Sequence, residues 1–271
     1  MSYWTERQAT IQEKLTKKKT KEIKKQLAKY YSTAAINVIT EFENTYNKLL
    51  ADLGSGKEPT PADLYNLDKY WQMQGALRKE LNKLGEKSIA LLTKNFEEHF
   101  FDVYYSLSIE GVSTFNTIDS DGAMQLINSI WLADGKTFNQ RIWNNTEQLL
   151  ETLNDQLINT VVTGKKTSDL KKALQERFGV SYSKANTLVK TELAHVQTIA
   201  AKQRYQDYGL KRYQLLANED DTCGNEKGVD CHKLDRKVFF YNEMRCGVNA
   251  PPFHPNCKCC IIPVIEWLNV F

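Results

Sequence analysis

Apolar residues recur at three- and four-residue spacing from about Trp4 to Leu50, at Ile11, Leu15, Ile23, Leu27, Tyr30, Ala34, Phe42, Tyr46 and Leu49. Lys and Glu fill the positions between them, which is the pattern of an amphipathic helix. Gly54-Ser55-Gly56-Lys57-Glu58-Pro59-Thr60-Pro61 ends it, since Gly and Pro together cannot continue a helix. A second helical stretch is predicted from about Ala62 to Leu107, with interruptions near Gly75 and Gly85. Two long helices joined by a Gly/Pro loop most simply form an antiparallel hairpin.

The periodicity weakens between Ser108 and Phe138, where Gly111, Gly122 and Gly135 punctuate the chain and Asp119-Ser120-Asp121-Gly122 is predicted as a turn. It returns near Asn139 with Leu149, Leu150, Leu153, Leu157 and Val161, and Gly164 stops it. Ser168 is expected to cap a short helix bearing Leu170, Leu174 and Phe178 and closed by Gly179. A longer helix, about Ser183 to Tyr208, presents Leu188, Val189, Val196 and Ile199 and ends at Gly209. Beyond it the runs Tyr213–Leu216, Val238–Tyr241 and Ile261–Ile265 have the short β-branched and aromatic character of strands.

The predicted class is therefore α+β, mainly α. A helical N-terminal region spans 1–110, a helical middle 111–209, and a small β-rich module 210–271. A hydrophobic share of 41% over 271 residues is enough for a core that needs no disulfides. The net charge of +3 is too small to argue for nucleic-acid binding from the total; only local clusters can carry it. Polar residues follow Met1 at once and no window approaches the ~18 apolar residues of a membrane span. Ser2 excludes Met-Gly myristoylation. The expectation is a protein made and assembled in a cytoplasm, with no membrane partner.

All six cysteines fall between Cys223 and Cys260. Such clustering in a chain without an export signal points to metal ligation rather than to stapling by disulfides. Structural zinc takes four soft or borderline donors from two short clips. Cys223 and Cys231 offer one clip, wider than usual; His254 and Cys257 offer the other. Cys259, Cys260, Cys246 and His232 are alternative ligands. Pro251, Pro252 and Pro255 reduce the entropy lost when the clip closes. A closed four-donor zinc site would stabilise the fold and perform no chemistry. A deaminase would need a His-x-Glu before Pro255-Asn256-Cys257, and none is present.

Three further features matter. Glu192 lies on an apolar stripe, four residues from Leu188 and Val196, and so is expected to be a buried structural acid. Its partner would be a backbone amide or an arginine such as Arg204 or Arg212, with His195 as neighbour. Lys14, Lys17, Lys18, Lys19, Lys21, Lys24, Lys25 and Lys29 surround the first helix and could neutralise DNA phosphates without reading sequence, or form a solvated face. Gly54-Ser55-Gly56-Lys57 is not a phosphate loop, because Ala51 and Glu58 stand where Gly and Ser or Thr are required.

Gly135-Lys136-Thr137-Phe138, Arg141-Ile142-Trp143, Lys190-Thr191-Glu192, Asp221-Thr222-Cys223, Leu234-Asp235-Arg236-Lys237-Val238-Phe239 and Pro251-Pro252-Phe253-His254-Pro255-Asn256-Cys257-Lys258-Cys259 form a recognisable series. It resembles the phage head-morphogenesis family, the minor head proteins that include the Mu F-like proteins. The likeness runs from about Trp131 to Ile265. Lys190 and Lys258 replace arginines usual in the family, and its first cysteine pair is usually closer than Cys223 and Cys231.

The resemblance implies a structural minor capsid protein of a tailed bacteriophage, inside the procapsid and then the virion. Its implied partners are the portal protein, the scaffold or major capsid protein, and packaged DNA. The contrasting expectations are a zinc-dependent nuclease using His232 and Asp235, and a nucleic-acid-binding module built on the Cys/His knuckle itself.

Overall fold

The computed structural model describes residues 3–54, 68–109, 112, 117–162, 167–218 and 231–265. It is mainly helical with one small antiparallel sheet, the predicted class. Helix α1 is Tyr3–Leu53, α2 Lys69–Ser106, α3 Ser120–Ile127, α4 Phe138–Val162 and α5 Thr167–Asp207. Then follow β1 (Arg212–Leu216), α6 (Cys231–Leu234), β2 (Val238–Phe240), a 3-10 turn (Tyr241–Glu243) and β3 (Cys260–Pro263). The strands lie in the order β2-β1-β3, with Tyr213 opposite both Phe239 and Pro263.

Several predicted breaks are absent. Gly75 and Gly85 lie inside α2, and Gly179 inside a continuous α5. The cost of one helical glycine, about 1 kcal/mol, is outweighed at Gly179 by burial of Leu174, Phe178, Ser181 and Ala185 on either side. Gly85 is required by shape: a Cβ there would stand 2.5 Å from the Trp143 ring. Asp119-Ser120-Asp121-Gly122 is a helix start rather than a free turn, because the Asp119 carboxylate accepts the Gly122 N–H at 2.8 Å and caps α3. Gly209 does end α5, at φ +74°, a left-handed conformation that favours glycine. Gly164 and residues 55–67, where the Gly/Pro break is expected, lie outside the described residues.

Contacts divide the chain into two compact units interleaved along the sequence, because the long helices serve both. One comprises Met1–Ile23, Leu91–Asn139 and Asn186–Phe271; the other comprises Lys24–Ala90 and Gln140–Ala185. In the second unit Leu27, Val38 and Phe42 of α1, Leu77 and Leu81 of α2, Leu153 and Leu157 of α4, and Leu174 of α5 form an apolar helical core. Buried within it, Asn145 donates to the Tyr31 hydroxyl at 2.9 Å and to the Ser181 carbonyl at 3.3 Å.

In the first unit every residue of α5 from Thr191 to Ala201 is buried, so this stretch is the central element. Phe96, Phe100 and Tyr104 of α2 and all four residues of β3 are buried in the same unit. Gln8 donates to the Ser108 carbonyl, Thr16 meets His99, and Lys19 meets Glu98. The partner numbers fall as the α1 numbers rise, so α1 and α2 run antiparallel here, as the hairpin prediction requires.

Candidate metal centre

The site is built on the end of β1. Leu216 pairs with Cys260, which brings the start of β3 to that end of the sheet. Leu215 holds the corner after α6 through two backbone bonds, accepting from Arg236 at 2.8 Å and donating to Lys237 at 3.0 Å. The Asp235 carboxylate accepts the Ala217 N–H at 2.9 Å and ties the same corner from the other side. Together these bonds place Cys231, the first residue of α6, beside the segment that precedes β3.

That segment is shaped by the turn His254-Pro255-Asn256. The Cys257 N–H donates to the His254 carbonyl at 3.2 Å, and Asn256 adopts φ +60°, which asparagine tolerates better than most residues. The Asn256 N–H donates to the Thr191 hydroxyl at 3.2 Å, anchoring the turn on α5. Past the turn the chain is extended, so side chains alternate. Cys257 and Cys259 point inward while Lys258 between them is exposed.

The sulfur atoms of Cys231, Cys257 and Cys259 all lie within 4.8 Å of one another, and all three residues are buried. Hydrogen bonds from Cys231 and then Cys259 lower the Cys257 thiol below its usual range. Hydrogen bonding to Cys231 and Cys257, with burial, pushes Cys259 well up. Three thiols sharing protons in this way stabilise one thiolate at the others' expense. A cation at their centre would remove that competition by ionising all three. The donors are soft and shielded from water, and zinc–sulfur bonds of about 2.3 Å suit such a pocket. The residues therefore fit a soft metal ion, for which Cys231, Cys257 and Cys259 would supply three thiolate donors.

Of the predicted ligands, Cys231 and Cys257 are in the group, and Cys259, expected as an alternative, joins them. Cys223 lies outside the described residues. His254 stands outside the group: its Nδ1 is paired with the Pro255 carbonyl at 3.0 Å, and its Nε2 is buried with no partner among the described residues. His232 is exposed on α6. Cys260 faces the opposite side of the strand, where burial raises its thiol to about 12; burial does the same for Cys246. Among the described residues this trio is the one close grouping of metal-binding side chains.

Residues 151–262 match the family model of Phage Mu protein F like protein. This segment resembles the Mu protein F-like family. It begins within α4 and ends in β3, and so contains α5, the whole corner after β1 and the three clustered cysteines. The match covers 112 of the 271 residues, and it is this segment that is similar to the family. No curated protein and no solved structure gives a significant match.

Within the Mu F-like segment Glu192 is only 2% exposed, and its carboxylate accepts the Trp131 indole N–H at 3.1 Å. The Trp131 ring stacks on His195, with centroids 4.6 Å apart. The Trp131 indole is a partner that the sequence did not suggest, and Arg204 lies over the rings of Tyr104 and Tyr208. Sequence reading missed Trp131 because sixty-one residues separate it from Glu192.

The lysine cluster does not surround α1 as expected. Lys14, Lys17, Lys18 and Lys21 are exposed and, by the 3.6-residue repeat, share roughly 100° of arc. Lys19 points the other way. Only 6% exposed, it bonds Glu98 at 2.9 Å and lies 3.6 Å from Glu22 and 4.0 Å from Asp102. Lys19 is thus withdrawn from the candidate nucleic-acid face. Lys24 and Lys25, further along α1, are exposed. No described helix is long and apolar enough to cross a membrane.

Proposed function

We propose that this protein is a structural, non-enzymatic head-morphogenesis component of a tailed phage. It assembles in the host cytoplasm and stays in the virion, with the portal and the scaffold or major capsid protein as partners. The observation that carries this reading is that the Mu F-like match spans α5 and the corner that gathers Cys231, Cys257 and Cys259. The three buried thiolates are three of the four donors that a structural zinc ion takes, and a soft set with no histidine or carboxylate in the group among the described residues favours a structural ion over a nuclease centre. Zinc bound there would fasten α6 to the start of β3, so that metal binding contributes directly to folding of the module. The exposed lysines of α1 supply a second function, sequence-independent contact with packaged DNA.

Co-expression with the portal, scaffold and major capsid proteins of the same phage tests the assembly role. The protein should co-sediment with procapsids and be lost from particles lacking the portal. Procapsids that exclude it would overturn the reading. Elemental analysis of the purified chain should find one zinc per molecule, and Cys257→Ser should lower both zinc content and Tm; a fully stable, metal-free protein would overturn the zinc assignment.

A further inference from the structure

Between Glu6 and Glu22 the buried residues of α1 are Gln8, Gln12 and Lys19, and all three are polar. The helix stripe that in most proteins carries leucines here carries hydrogen-bonding groups, each reaching a different element of the first unit. Gln8 donates to the Ser108 carbonyl at 3.0 Å and accepts the Tyr205 hydroxyl at 3.3 Å. Gln12 donates to the Ile261 carbonyl of β3 at 2.9 Å. The half-buried Thr16 donates to the Gln197 side-chain oxygen and pairs with His99 Nε2 at 3.1 Å. Lys19 closes the row on Glu98. The nearby apolar residues Ile11 and Leu15 are only half-buried.

Such a seam is specific without being strongly adhesive. Each bond fixes register, but its net contribution is small because water can make the same bond when the surfaces part. One atom of the seam, Gln12 Oε1, is buried with no partner among the described residues, so docking leaves it desolvated and uncompensated. On the other side of the seam, His99, Gln197, Tyr205 and the Ser108 and Ile261 carbonyls are likewise groups that water can satisfy. Separation would therefore open a slot lined by these polar groups.

We infer that residues 6–22 of α1 are a releasable strap, which opens from α2, α5 and β3 as one block while the rest of the fold stays closed. The inference is independent of the proposed head function and of the zinc ion.

Native-state hydrogen exchange on the full-length protein tests this. Amides of residues 8–22 should exchange together, at one common rate that low urea barely changes, and ahead of residues 27–42. Gln8→Ala and Thr16→Ala should each speed that block by roughly tenfold, the equivalent of about one net hydrogen bond, and leave residues 27–42 unchanged. Exchange of residues 8–22 only at the rate and urea dependence of residues 27–42 would overturn the strap. So would a smooth gradient of protection from the helix end that ignores both substitutions, since that is simple fraying. The urea dependence of the unmodified protein decides the matter even if a variant fails to fold.

Discussion

One helix, α1, is held by two different kinds of chemistry along its length. Up to Glu22 its buried positions are Gln8, Gln12 and Lys19; from Ile23 to Phe42 they are Ile23, Leu27, Tyr31, Ala34, Val38, Ile39 and Phe42. The stripe keeps the same three- and four-residue spacing throughout, so geometry alone does not distinguish the two stretches. The energetics do. Each fully buried aliphatic side chain contributes about 1.5–3 kcal/mol, whereas a neutral hydrogen bond nets about 0.5–1.5 kcal/mol. The later stretch is built to adhere and the earlier one to register.

The largest expected difference comes from truncating one residue of each kind. Leu27→Ala should cost about 2–5 kcal/mol, since Leu27 is fully buried among helices. Gln12→Ala should cost only about 1–2 kcal/mol, because it removes one bond to Ile261 and also removes the unpaired oxygen. Chemical denaturation of the two variants measures both. Equal costs would erase the distinction between the stretches.

Acid should act on the earlier stretch through His99. Burial, and then the charge of Lys19, lowers its pKa from 6.5 to about 3. The folded protein therefore keeps His99 neutral while the unfolded chain takes up a proton, so its contribution is present above about pH 6.5 and is lost as pH falls towards 3. At about 1.4 kcal/mol per pH unit, moving from pH 7 to pH 5 should cost the unmodified protein about 2 kcal/mol more than it costs His99→Gln. Parallel pH profiles for the two proteins would show that His99 is charged, or exposed, in the native state.

What the sequence shows and hides follows the same division. The three strands are legible because Tyr213–Leu216, Val238–Phe240 and Ile261–Ile262 are short β-rich runs between turn residues, a local signal. The inward pair Cys257 and Cys259 also has a local signal, since alternation about Lys258 puts both on one side of extended chain. The place of Cys231 beside them depends on Leu215 gripping the corner at Arg236 and Lys237, and spacing does not reveal that. Gln8 and Gln12 look like solvated positions, because their partners Ser108 and Ile261 lie 100 and 249 residues away. Gly85 looks like a break because the ring that requires it belongs to Trp143.

That last case gives a smaller test of close packing in the second unit. A helical Gly→Ala change normally gains about 1 kcal/mol, and Gly75→Ala should do so, since nothing stands within 4 Å of the new methyl. At Gly85 the methyl would meet the Trp143 ring, and overpacking of about 1–3 kcal/mol offsets that gain, for a net loss of about 1 kcal/mol. The opposite signs of the two changes are the measurement. A stabilised Gly85→Ala would mean that the ring yields and that packing in this unit is looser than its burial implies.

The smallest effect on stability should come from the outer face of the earlier stretch, where the same helix separates two roles for lysine. Lys17 and Lys18 are exposed, so Lys17→Glu with Lys18→Glu should change stability by no more than about 0.5 kcal/mol. If that face grips DNA, the slope of log affinity against log salt should flatten by about 2, since each lost phosphate contact removes roughly 0.9. Lys19→Met should do the reverse. It should cost about 1 kcal/mol through the lost pairing with Glu98 and leave the salt slope unchanged. A slope that responds to Lys19 but not to the outer pair would place DNA on the seam side of α1, which is possible only where the strap has opened.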